Sequence, residues 1–192
     1  MESKVRSILI AGVGGQGVLK ASDILSAVII EAGMDVKKSE VHGMAQRGGC
    51  VTSHVRYGSR VYSPLARKGD VDLILSFEKL ETLRYLDYLK EGGRVIINDL
   101  EVYPPSVNMG EAEYPPDVID LVADHVDTVE VVDASEKAAR LGDPRMVNTI
   151  LLGVLSRHMD IDSAVWEKVL RKTFPPKVVE KNIEAFHLGR KD

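Results

Sequence analysis

The chain has 192 residues, of which 44% are hydrophobic and 28% charged, and its formal net charge is −4. That balance is ordinary for a globular protein with its own core, and at this size roughly 70% of the unfolded chain's surface should be buried. The acidic balance, with no cationic stripe interleaved with aromatics, argues against a general nucleic-acid binder. The single cysteine, Cys50, excludes an intramolecular disulfide, a cysteine-rich zinc site and an iron–sulfur cluster held by this chain alone. The five histidines are scattered without metal-ligand spacing, so no metal site is expected. The apolar run after Arg6 is too short for a secretory h-region, and no window approaches 18 uncharged apolar residues, so no membrane span is expected. A lone cysteine and no export signal point to the cytoplasm.

Residues Ser7 to Gly12 form a short branched apolar run that reads as a buried strand. A glycine turn follows, and then Val18 to Glu31 carries apolar residues at helical spacing up to Gly33. Asp35 to Val41 is a second strand candidate, so the first 41 residues read as a βαβ unit with parallel pairing. His42 to Gly49 is a glycine-rich loop. Cys50 to Arg56 and Val61 to Leu65, separated by Tyr57-Gly58-Ser59-Arg60, read as a β-hairpin. Val71 to Phe77 is a further buried strand. Glu78 to Lys90 is an amphipathic helix with Leu80, Leu83, Leu86 and Leu89 on one side, stopped by Gly92-Gly93, and Arg94 to Asn98 is a strand.

The segment from Leu100 to Pro116 holds four of the eight prolines and reads as an irregular connection. Pro116 to Asp124 is a short helix, Thr128 to Asp133 the last strand, and Ala134 to Leu141 a helix ended by Gly142. Arg145 to His158 is a strongly apolar helix opened by Pro144. Asp162 to Phe174 and Lys177 to Phe186 are two more helices, split by Pro175-Pro176. Trp166, Leu170, Phe174, Ile183 and Phe186 fall at helical spacing there, as core or as a partner interface. The alternation predicts an α/β fold: a Rossmann-like, open, mostly parallel sheet flanked by helices, with a β-hairpin insertion and C-terminal helices. No linker is visible, so residues 1–192 read as one domain whose last helices, about 162–192, form an arm.

Two stretches carry chemistry. Gly12-Val13-Gly14-Gly15-Gln16-Gly17 satisfies Gly-x-Gly-x-x-Gly between a strand and a helix, a context that suits an anion at the helix start, with Lys20 one turn in. The same glycines also serve a plain packing turn, and both readings stay open. A dinucleotide site would want an acidic residue about 20 residues on. Glu40 lies 28 residues after Gly12, a poor offset. Ser39-Glu40-Val41-His42-Gly43-Met44-Ala45-Gln46-Arg47-Gly48-Gly49 sits beyond the carboxyl end of a predicted strand, the edge where open α/β sheets bind ligands. Arg47 could clamp a carboxylate or phosphate with two hydrogen bonds, or simply pair with Glu40 in a surface turn. Asn148, a lone polar residue on the apolar helix, reads as a structural amide or a ligand contact.

Together these two stretches resemble the gamma-type subunit of 2-oxoacid:ferredoxin oxidoreductases, and within that group the sequence is most similar to the indolepyruvate type. Gly142-Asp143-Pro144-Arg145-Met146-Val147-Asn148, leading into Leu151-Leu152-Gly153, fits the same family, and the likeness runs from Ile8 to about Phe186. His42-Gly43-Met44-Ala45 stands where pyruvate-type members usually carry Tyr-Gly-Pro-Glu. The resemblance implies oxidative decarboxylation of a 2-oxoacid, here an arylpyruvate, to its acyl-CoA with reduction of ferredoxin. Thiamine diphosphate, magnesium and 4Fe-4S clusters are expected in partner subunits, with coenzyme A as co-substrate. The thiamine signature of Gly-Asp-Gly followed by Asn-Asn is not matched, since Val71 follows Gly69-Asp70 and Pro144 follows Gly142-Asp143. The resemblance therefore implies an accessory subunit that binds no cofactor alone and is inactive when isolated. Its substrate, coenzyme A or anion contacts are expected at Gly12, Gly14, Gly15, Gln16, Gly17, Ser39, Glu40, His42, Gln46, Arg47, Gly48, Gly49 and Asn148. A homodimer of the isolated chain stays open. The rival readings are a stand-alone nucleotide-dependent oxidoreductase and a non-catalytic binding protein on the same fold.

Overall fold

A computed structural model describes residues 5–42 and 49–191, His42 by its backbone alone. Six strands form one sheet: β1 (Arg6–Val13), β2 (Asp35–His42), β3 (Cys50–Gly58), β4 (Val71–Ser76), β5 (Leu89–Asn98) and β6 (Val129–Val132), in the order β2-β3-β1-β4-β5-β6. The pairs β1–β4, β4–β5 and β5–β6 are parallel, whereas β1–β3 and β2–β3 are antiparallel. The sheet is thus mixed and mostly parallel, as the alternation of elements predicted.

Helices cover both faces. On one side α1 (Val18–Glu31), α5 (Ala134–Arg140), α6 (Val147–Ser156), α7 (Ser163–Thr173) and α8 (Pro176–Arg190) bury a cluster that includes Ile8, Ile10, Leu25, Leu75, Leu151, Trp166 and Phe186. On the other, α2 (Lys79–Tyr85) and α4 (Val118–Ala123) close a smaller cluster around Leu9, Ala11, Ile74, Ile97 and Val122. Being covered twice is why β1 and β4 read as continuous apolar runs rather than alternating ones.

Three expectations are corrected. Strand β2 does not pair with β1, because β3 lies between them. Strand β3 (CVTSHVRYG) is buried along most of its length, while β2 (DVKKSEVH) is charged; the less charged strand takes the inner position and the charged one the exposed edge. The hairpin is accordingly β2–β3, and Val61 to Leu65 is not a strand. The Val61 N–H donates to the Asp35 carboxylate at 2.7 Å, and the Arg56 guanidinium donates to the Ser63 and Leu65 carbonyls at 3.2 and 3.1 Å. Pro64 has no N–H for a ladder. Finally, the helix from Glu78 stops at Tyr85, followed by a 3-10 turn over Leu86–Tyr88, and β5 begins at Leu89. Gly92 takes a φ of 66° within that strand, beside a register shift opposite Val71 and Leu73. The glycine pair is a bulge rather than a helix stop. In the proline-rich connection only one short turn, α3 (Pro105–Asn108), is helical.

The terminal helices share the main core rather than standing off it. Trp166 and Phe186 stack with ring centroids 5.5 Å apart and are fully buried, so these aromatics are core. Helices α6 and α8 cross at two glycines. A Cβ at Gly153 would lie 2.1 Å from the Phe186 carbonyl oxygen, and one at Gly189 would lie 2.0 Å from that of Ile150. Backbone cannot yield as a side chain can. Gly153→Ala is therefore expected to cost about 3 kcal/mol, at the upper end of overpacking penalties, as read by urea denaturation.

Against β1, β4 and β5, α2 and its N-cap hold two buried carboxylates. Glu78 accepts from the Glu81 and Val102 N–H groups at 3.0 and 3.1 Å and from the Tyr114 hydroxyl at 2.7 Å, which caps α2 and ties down the proline-rich connection. Glu81 has only Arg84, at 3.1 Å, on one oxygen, and its other oxygen has no partner among the described residues. Burial pushes its carboxyl up to about 7 from an ordinary 4.5, against the pull of Arg84. The folded state then holds a proton that the unfolded state loses, so stability falls as pH rises from about 4.5 to 7 and levels off above. Glu81→Gln keeps the neutral shape. It should match the parent below pH 4 and exceed it by about 3 kcal/mol at pH 8, as followed by thermal melts across that range.

Candidate functional site

A cleft of about 560 Å³ opens beside the carboxyl ends of β1, β4, β5 and β6. Gly15, Gln16 and Gly17 form one wall, Arg145 and Asn148 another, and Phe77, Leu100 and Ser135 follow β4, β5 and β6. It lies where connections leave the sheet in opposite senses: β1 leads through α1 toward β2, and β4 leads through α2 toward β5. Such a switch point leaves room between adjacent loops for a ligand.

The glycines of the turn have different physical jobs. A Cβ at Gly12 would meet Gln16 Oε1 and Val18 Cγ2 at 2.7 Å and Phe77 Cβ at 2.9 Å, so Gly12 is required for packing. Gly15 and Gly17 take φ values of 101° and 87°, a region that favours glycine. Gly14 donates its N–H to the Gly49 carbonyl at 2.9 Å. The Gln16 side chain folds back, accepting from the Val13 N–H at 2.7 Å and donating to the Phe77 carbonyl at 3.5 Å. The turn therefore ends β1, seats on the end of β4 and meets the start of β3.

Gly17 precedes α1 with no side-chain cap, and no acidic residue stands in the first turn. The first N–H groups of a helix have no carbonyl within it and carry the positive end of its dipole. Asn148 closes over this start, with its Nδ2 3.0 Å from where a Gly17 Cβ would be. Its Oδ1 accepts from Thr149 Oγ1 at 3.2 Å. Asp143 holds the Arg145 guanidinium through two bonds of 2.9 and 2.8 Å, and that fork keeps the Asp143 carboxyl down at about 2. Below them Asn98 fixes the ends of β5 and α5, donating to the Phe77 carbonyl at 3.1 Å and accepting from the Ala134 N–H at 3.1 Å. The cleft thus offers backbone N–H groups, an amide, a hydroxyl and a guanidinium against an apolar floor, which suits an elongated ligand with an anionic group.

The structure brings Gly15, Gln16, Gly17 and Asn148 to this cleft, with Gly12, Gly14 and Gly49 supporting the turn. Ser39 and Glu40 lie elsewhere, on the edge strand β2, and Glu40 accepts from Lys38 Nζ at 2.6 Å. With β3 between β2 and β1, Glu40 is not the ribose clamp of a dinucleotide site. Lys20 lies over the Phe174 ring, 5.4 Å from its centroid. The backbone of His42 ends β2 opposite Val51. Gln46, Arg47 and Gly48 lie outside the described residues. Arg145, Ser135, Phe77 and Leu100 were not among the expected contacts. Only Arg145 carried a signal, in the Gly142-to-Asn148 motif, since the others follow strands that sequence alone does not bring together. Among the described residues no group of three or more His, Cys, Asp or Glu side chains is placed to hold a metal ion, and no helix is long and apolar enough to cross a membrane.

Residues 7–191 match the family model described as pyruvate ferredoxin/flavodoxin oxidoreductase. The chain belongs to that family. It is 39% identical over 193 residues to the indolepyruvate oxidoreductase subunit IorB of Pyrococcus horikoshii, spanning 98% of this chain and 96% of that one. It also superposes on part of the 2-oxoglutarate:ferredoxin oxidoreductase of Magnetococcus marinus, solved with 2-oxoglutarate, coenzyme A and succinyl-CoA bound. There the TM-score is 0.75 at 25% identity, over 98% of this chain and 31% of that one. The pyruvate oxidoreductase subunit PORC of Thermotoga maritima shares the fold, with a TM-score of 0.76 at 22% identity over 98% and 97% of the two chains. The gamma-type resemblance drawn from the glycine turn and the Gln-Arg-Gly-Gly loop is borne out.

The geometry makes Gln16 the brace of this family member's turn. Gln16→Ala leaves the Val13 N–H without its acceptor and is expected to cost about 1–2 kcal/mol, whereas Gln16→Glu keeps an acceptor and should recover part of the loss in chemical denaturation.

Proposed function

We propose that the chain is the accessory, gamma-type subunit of a heteromeric 2-oxoacid:ferredoxin oxidoreductase. In this reading the complex oxidatively decarboxylates an arylpyruvate such as indolepyruvate to its acyl-CoA and reduces ferredoxin in the cytoplasm. Full-length similarity to IorB subunits carries the reading. The partner subunits hold thiamine diphosphate, magnesium and the 4Fe-4S clusters. This chain's own donors do not fit those groups: clusters want several thiolates, and Cys50 is its one cysteine. No chemical step is therefore assigned to its residues.

What the chain contributes is a binding surface at the mouth of the partner's site. The glycine turn, Asn148 and Arg145 receive a phosphate-bearing part of coenzyme A at the start of α1, and the apolar floor receives its uncharged portion. The support is a cleft that combines an uncapped helix start with a guanidinium and an amide. Gly49 is joined to the same turn by accepting the Gly14 N–H. Isolated, the chain has no activity and is free to pair with a second copy.

Affinity capture from an anaerobic lysate should bring down a thiamine- and iron-containing partner with arylpyruvate-dependent viologen reduction. Recovery of the chain alone would end the accessory reading. In the reconstituted complex, Arg145→Ala should raise KM for coenzyme A about tenfold, the loss of one charge-assisted contact, and leave kcat nearly unchanged. An unaltered KM would remove Arg145 from the coenzyme A path.

A further inference from the structure

The opposite edge of the sheet carries a second cleft, of about 430 Å³, where the parallel strands begin. Arg6, Tyr57, Asp72, Lys90, Arg94 and His158 line it. No expected contact of the first site lies there, and nothing in the proposed reaction uses it.

Its charges do not cancel. The Asp72 carboxylate is fully committed: one oxygen accepts from the Ser7 N–H at 2.7 Å and the other pairs with Lys90. Glu130, just behind, is shared between Arg157 and His158, whose Nε2 lies 2.8 Å away. Arg6 is held by the Tyr57 hydroxyl in the cleft wall and reaches Asp160 only at 3.4 Å, where that carboxylate is 95% exposed, so the ion pair is weak. The side chain of Arg94, half-buried in the bulged strand β5, has no hydrogen bond or ion pair among the described residues. Among the described residues, two guanidiniums therefore face one cleft with only the exposed Asp160 carboxylate to answer them, in a chain whose net charge is −4.

An unpaired guanidinium in a polar recess binds oxyanions through its planar fork of N–H groups. A phosphoryl group has enough oxygens to take a bidentate contact and a second donor at once. We infer that this cleft is a second anion site, which takes a phosphate group, free or as a phosphomonoester, on Arg94 and Arg6. The inference stands apart from the coenzyme A reading, because the two clefts lie on opposite edges of the sheet and share no residue.

The test is a phosphorus NMR titration of the full chain with inorganic phosphate and, separately, glycerol phosphate. Both Arg94→Ala and Arg94→Gln should weaken binding of whichever anion binds by at least about tenfold, with thermal midpoints unchanged, since Arg94 supports no other residue. Arg145→Ala, in the other cleft, should leave that binding intact. Tighter binding of glycerol phosphate would assign the ligand to the phosphomonoesters, and tighter binding of inorganic phosphate to the free anion. The proposal is overturned if neither anion binds at about 20 mM, a weak limit for a specific site, or if both Arg94 variants bind like the parent. Binding lost only in Arg145→Ala would also overturn it, while upholding the anion-binding character of the first cleft.

Discussion

Strand β1 is hydrogen-bonded on both sides by neighbours running in different senses, and the rest of the molecule follows from that. Antiparallel β3 occupies one flank and parallel β4 the other, in register from Ile8 against Val55 and Leu73. The chain leaving β1 must therefore turn immediately away from β4 to reach its own helix. Gly12 lies where the Gln16, Val18 and Phe77 side chains converge, so the turn closes only without a Cβ there. This one steric demand draws the start of α1 over the end of β4 and leaves the cleft beside it. The same glycine is thus a packing device whose consequence is the cleft beside the turn.

Much of this was legible in the residues. The buried runs of β1, β4 and the second half of β5 have no competing reading, because an uninterrupted branched apolar run can be satisfied only between two layers. The helix spacing of α1 and α6 follows equally from their apolar stripes. Strand neighbours were not legible. Sequence order suggested that β2 pairs with β1, yet β3 displaces it because the buried strand outcompetes the charged one for an inner position. Nor was the failure of Val61 to Leu65 to pair visible, because it depends on Arg56 and Asp35 reaching across to its backbone. Likewise Leu86 and Leu89 keep a helical apolar spacing, although β5 begins at Leu89, five residues before the expected Arg94, and takes the glycine pair in as a bulge.

The site divides along the same line. Gly15, Gln16, Gly17 and Asn148 were found from local pattern, since each is marked by a glycine motif or by a polar residue on an apolar face. Ser135, Phe77 and Leu100 each end or follow a strand, and only the parallel order β1-β4-β5-β6 sets them side by side. Ser39 and Glu40 were drawn in by their nearness to the glycine loop in sequence. In the fold the insertion of β3 takes them one strand further out. Local chemistry can name the groups that suit an anion, but the order of strands decides which of them share a cleft.

That order also explains why the two edges differ. At the carboxyl edge the start of α1 and the Arg145 fork present donors around an apolar floor, and Arg145 is already ordered by Asp143 before any ligand arrives. At the other edge the donors are side chains alone, and each carboxylate within reach is engaged by a backbone N–H or a neighbouring cation. A guanidinium that folding has left without a partner keeps most of its hydration, so it adds little to stability and costs little to expose. An arginine held half-buried on a bulged strand has given up part of that hydration without recovering it from a partner. Its position is offset only when an anion arrives, which is the electrostatic signature expected of a binding group rather than of a structural one.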